Sequence, residues 1–112
     1  MILHFCTASD WADAQRAGEY TADSLRTEGF IHCSTAAQVH IPATMLAKGR
    51  TDLVLLEIDE SRLPEPPRWE PGEGTDLTFP HVYGPIPIHA VLAVHPYPPE
   101  PDGSFAPPTG LG

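Results

Sequence analysis

The sequence predicts an α+β domain. Strand-like and helix-like segments alternate as β-α-β-α-β over the first half, and several more strand-like runs follow without helices between them. One run, DLVLLEID, is aliphatic and nearly continuous, as expected for a central strand covered on both faces. At 112 residues the chain is most simply one domain. We assign that domain to 1–97 and read 98–112 (PPEPDGSFAPPTGLG) as a loose Pro/Gly-rich C-terminal tail.

Taken in order, MILHFC is the first strand, with Ile2, His4 and Cys6 on one face and Leu3 and Phe5 on the other. Thr7, Ser9 and Asp10 offer N-cap chemistry for a helix through WADAQRA, which Gly18 ends. EYTADSLRTEG reads as a loop with one helical turn around Ala22 to Arg26. FIHCS is the second strand, with Phe30, His32 and Ser34 pointing one way. Ser34 or Thr35 can cap a helix through AAQVHIPATMLAKG, which either kinks or begins again at Pro42 and stops at Gly49. After DLVLLEID, the proline-rich SRLPEPPRWEPGEG holds a short strand at Arg68 to Glu70. TFPHVYG is a further strand, PIP a turn, and HAVLAVHPY the last strand.

Composition narrows the function classes. The net charge is −9 with only six Lys and Arg residues, scattered, so a large nucleic-acid partner is not expected. A small phosphorylated ligand needs only one or two local cations. No stretch of eighteen apolar residues occurs and the start lacks a signal-peptide pattern, so the expectation is a cytoplasmic protein without a membrane span. Cys6 and Cys33 are too few for a disulfide framework and read as buried, reduced thiols.

Polar groups recur at alternating strand positions: His4 on the first strand, His32 and Ser34 on the second, His81 and Tyr83 in FPHVYG. If these strands meet, imidazoles, a hydroxyl and a phenol converge among Ile2, Phe30 and Phe79, which is the composition of a ligand pocket. The competing reading is a set of hydrogen-bonded core histidines. His4, Cys6, His32, Cys33 and His81 could supply zinc ligands, but no CxxC or HxxxH pair exists and Cys33 alternates away from His32, so no metal is expected. A Cys33 nucleophile is disfavoured on the same ground. Among carboxylates, Glu57 reads as a solvated strand end, Glu28 as a cap or a partner of Arg26, and Glu70 in RWEP as a loop carboxylate reaching the pocket. Gln38, His40, His89 and His95 read as structural or exposed.

The series IxHF, EGFIHCS, LLEID, RWE and FPHVYGPI, in that order over about residues 1 to 95, resembles a small bacterial family of uncharacterised proteins, some labelled glutathione S-transferase-related. The resemblance implies an ADP-ribosyltransferase-like fold: a split β-sheet with two or three short helices that grips NAD in a cleft. It implies NAD, or a related nucleotide, as substrate, with ADP-ribosyl transfer or NAD hydrolysis as the activity. On this chain the implied roles are ribose binding by His4, cleft lining by His32 and Ser34, a base at His81 and nicotinamide stacking by Tyr83. FPHVYG lacks the glutamate that many transferases of the fold carry, so Glu57 or Glu70 would have to serve. RNA 2′-phosphotransferases of the same fold manage without that glutamate but use basic residues, which are scarce here. A non-catalytic nucleotide-binding module and an acidic protein-interaction protein are the alternatives.

Overall fold

The computed structural model describes residues 1–72 and 74–111; Glu73, in the proline-rich excursion, and Gly112, at the end of the tail, lie outside the described residues. Its elements are β1 (Ile2–Thr7), α1 (Ala8–Ala17), β2 (Glu19–Tyr20), α2 (Asp23–Thr27), β3 (Ile31–His32), α3 (His40–Ala47), β4 (Leu53–Ile58), β5 (Arg68–Pro71), β6 (Thr78–Val82), β7 (Ile86–Pro87) and β8 (Val91–Pro96), with 3₁₀ turns at Glu60–Arg62 and Ile88–Ala90.

The strands form antiparallel sheets in the orders β1-β4-β8, β2-β7 and β3-β6-β5. Among the described residues the backbones of the two larger sheets are bridged at one pair, where Leu3 and Ser34 exchange both hydrogen bonds at 2.7 Å. β4 lies centrally and has a core on each face, as DLVLLEID predicts. On one side Ile2, Cys6, Leu56 and Ile58 pack with Tyr20, Ile31, Cys33, Val82, Ile86 and Ala14 of α1. On the other, Leu3, Leu53 and Leu55 pack with Val39, Ala43 and Ala47 around α3, and with Tyr97 and Phe105.

Local chemistry explains the helix ends. The Thr7 hydroxyl accepts from the Asp10 amide at 3.0 Å, and Gly18 closes α1 in the left-handed region at φ 87°. α3 starts later than a cap at Ser34 or Thr35 would place it. Residues 36–39 form turns, and Pro42 falls in the first helical turn, where its missing donor would have had no intrahelical partner.

Three expectations change. EYTADSLRTEG and PIP contain the paired two-residue strands β2 and β7, and β8 starts at Val91 because Ile88–Ala90 form a 3₁₀ turn. The stretch after residue 97 is not loose against the body. Phe105 is buried, its amide donates to Thr44 Oγ1 at 2.9 Å, and the Tyr97 hydroxyl donates to the Ala106 carbonyl at 2.7 Å. These contacts close the second core over α3.

Candidate functional site

Alternation splits β3 cleanly. Ile31 and Cys33 enter the first core, so His32 projects from the opposite face, together with His81, its cross-strand partner on β6. Their ring centres are 5.3 Å apart. Phe30 stacks on His81 at 4.1 Å between centres and 17° between planes. The antiparallel β5–β6 register sets Arg68 opposite His81 and Glu70 opposite Phe79, which brings both charged side chains to this face.

Glu70 is the hub. Its Oε1 accepts from His81 Nδ1 at 2.8 Å and from the Tyr83 hydroxyl at 2.7 Å. The Tyr83 bond first, then the His81 bond, hold the Glu70 carboxyl below its ordinary range, and the same carboxylate pushes the Tyr83 phenol up. A proton on His81 Nδ1 leaves Nε2 as the nitrogen with a lone pair. The Arg68 guanidinium lies 4.1 Å from the centre of the Tyr83 ring, in cation–π range. His32 is exposed, and its Nε2 donates to Glu28 Oε2 at 2.9 Å, so Glu28 pairs with this histidine and not with Arg26.

His4 is not on that face. With Ile2 and Cys6 it points into the first core, 8% exposed, because its cross-strand partner is Leu56. Its Nδ1 donates to the His32 carbonyl at 2.6 Å, which fixes the tautomer, and its Nε2 accepts from the Tyr20 hydroxyl at 2.8 Å. Burial lowers its pKa to about 4, so the ring is neutral at pH 7. Both nitrogens are engaged, and in this arrangement His4 holds the backbone of His32 instead of meeting a ligand beside it. Ser34 is buried at the seam between the two sheets, where its backbone bonds to Leu3.

Of the residues singled out by sequence, the fold therefore gathers His32, His81, Tyr83 and Glu70, and leaves His4 and Ser34 at the seam behind them. Glu57, read as a solvated strand end, is buried and takes a hydrogen bond from His95 at 2.5 Å, away from this cluster. Cys6 and Cys33 are buried; burial pushes the Cys6 thiol up to about 12 and raises that of Cys33, so neither supplies a thiolate. Arg68, Glu28 and Tyr20 were not assigned to the pocket by sequence. Arg68 becomes visible only once the β5–β6 register is known, since its spacing from His81 is otherwise uninformative.

Two depressions, of about 310 and 400 Å³, lie around residues 10–26 rather than at the histidine cluster. The first carries Asp10, Asp13, Glu19 and Asp23 on its walls, and among the described residues no three side chains of metal-ligating type converge. No helix among the described residues is long and apolar enough to cross a membrane.

Comparison with known proteins agrees with this architecture. A crystal structure of protein CC0527 from Caulobacter crescentus superposes with a TM-score of 0.82 at 29% identity, covering 94% of this chain and 92% of that one. A crystal structure of a double mutant of CC0527 gives 0.82 at 28% identity, over the same 94% and 92%. The solution structure of CC0527 gives 0.77 at 30%, over 92% and 89%. Nothing among curated proteins matches. Residues 5–94 match the profile of the family described as protein of unknown function (DUF952), and the chain belongs to that family.

Proposed function

We propose that the face formed by Phe30, His32, Arg68, Glu70, His81 and Tyr83 binds NAD or a related ribonucleotide and breaks its nicotinamide–ribose bond. The observation that carries this reading is the Glu70 carboxylate, kept ionised beside His81 and Tyr83. FPHVYG has no carboxylate of its own, and β5 delivers one. Two three-stranded sheets joined at the Leu3–Ser34 bridge also suit the split sheet of an ADP-ribosyltransferase-like fold.

In hydrolysis, the C1′–N bond of the ribosyl pyridinium breaks and its electron pair leaves with nicotinamide, so positive charge develops on the ribose. Glu70 stabilises that charge through Oε2, which carries no hydrogen bond from the described residues. Water forms the new C1′–O bond and gives its proton to His81 Nε2. Arg68 is the cation at this face and suits a phosphate oxygen, while Phe30 offers an aromatic surface for the departing ring.

Titration calorimetry with NAD and with ADP-ribose tests binding, and chromatographic assay of free nicotinamide tests turnover. The reading expects heat with both ligands, nicotinamide release, and a loss of about a hundredfold in release for Glu70→Gln. Absence of heat with either ligand rejects it. A non-catalytic nucleotide-binding module is the second reading. It expects heat without nicotinamide.

A further inference from the structure

We infer that His32 and His81 form a two-imidazole site for a borderline divalent cation of the Zn²⁺, Ni²⁺ or Cu²⁺ type. The inference rests on the imidazole pair itself and is independent of the nucleotide reading. The two residues face each other across the β3–β6 ladder, where opposed Cβ atoms stand roughly 5 Å apart. An imidazole bound at the usual metal–nitrogen length puts its ring centre roughly 3.2 Å from the ion, so two at a tetrahedral angle have centres roughly 5 Å apart. The observed separation is 5.3 Å.

The second sphere is in place too. A metal-bound histidine commonly donates its other N–H to a carboxylate, which fixes the tautomer and strengthens the ligating nitrogen. Both rings have this arrangement: His32 Nε2 with Glu28 at 2.9 Å and His81 Nδ1 with Glu70 at 2.8 Å. His32 Nδ1 and His81 Nε2 are then lone-pair donors without a hydrogen-bond partner among the described residues. Two carboxylates against the single guanidinium of Arg68 leave the face electronegative, which suits a dication. No third side-chain donor converges among the described residues, so the remaining positions fall to water or to an oxygen of a ligand. Neutral nitrogens select borderline ions over Mg²⁺ and Ca²⁺, which take oxygen ligands. Such an ion uses the lone pair that the proposed base needs, so zinc is expected to inhibit nicotinamide release.

The experiment titrates the full chain with ZnCl₂ by calorimetry, with MgCl₂ as comparison, and follows imidazole ¹⁵N resonances. The expected result is one zinc site, with His32 Nδ1 and His81 Nε2 both shifting and no response to magnesium. Glu28→Gln weakens zinc about tenfold and His32→Ala more, while the exposed His89→Ala leaves it unchanged. Because His81 is buried and its replacement could unfold the chain, the wild-type nitrogen shifts carry its part of the test. Absence of zinc heat, a shift confined to one ring, unaltered binding in His32→Ala, or an equal response to magnesium overturns the inference. Zinc binding with no NAD heat rejects the nucleotide reading and leaves this one standing.

Discussion

At the residue scale, His4 shows how a histidine that looks catalytic in sequence becomes a tie. Its ring spans the interval between the Tyr20 hydroxyl and the His32 carbonyl, and it does so neutral. The pH consequence follows from linkage. The pKa is about 4 in the fold and 6.5 in a free chain, so the unfolded state binds more protons between these values. The stabilisation is complete above pH 6.5 and is lost progressively as pH falls towards 4, by up to about 3 kcal/mol for this group. Urea midpoints should therefore fall from pH 7 to pH 5. His4→Gln should be less stable at pH 7 and have a flatter pH profile; an unchanged slope in the variant assigns the loss to other groups.

At the scale of elements, the C-terminal stretch is the least anticipated part. Phe105 fills the second core beside Leu3, Leu55 and Tyr97, and Gly103 lets the chain pass close to Lys48 and Gly49 at φ +88°. Phe105→Ala should cost about 3–5 kcal/mol, read as a fall in thermal midpoint, whereas removing a truly loose tail would leave the midpoint unchanged. The stretch hid itself because its prolines and glycines match a disordered composition, and one aromatic residue outweighs that composition once a face is waiting for it. β2 and β7 were illegible for a different reason. Two residues cannot display a period, and these strands exist only because their partners are brought together from far along the chain. The long strands β1, β4 and β6 were legible because alternation or an unbroken aliphatic run marks them directly. The candidate site was legible in part: spacing puts His81 and Tyr83 on one face of their strand, but His32 joins them only through the β3–β6 pairing, Ser34 leaves that face for the seam, and Glu70 needed β5 to pair with β6.

At the scale of the whole molecule, the charge of −9 acts on a body with few compensating cations. Arg16 pairs with Asp13, Arg50 with Asp52 and Arg62 with the half-buried Asp59, all reached by solvent, where such pairs stabilise little. Self-repulsion thus outweighs these attractions, and added salt screens it. The thermal midpoint should rise by a few degrees between very dilute buffer and roughly 0.15 M NaCl. A fall would show that the exposed pairs outweigh the repulsion.

Among the described residues the two large sheets share no ladder; the reciprocal pair of Leu3 and Ser34 and the adjacent bond from His4 to the His32 carbonyl join them, and this has a kinematic meaning. A ladder resists swivelling along its whole length, while one residue pair resists it at a point. A small turn about that seam breaks no strand pairing inside either leaf, and what opposes it is the His4–His32 bond and the core that Ile2 and Cys6 share with Ile31 and Cys33. The Leu3 and Ser34 amide hydrogens act as the clock of that motion. They should exchange with deuterium sooner than the amides inside the β1–β4 ladder, and equal lifetimes would mean that the leaves move as one.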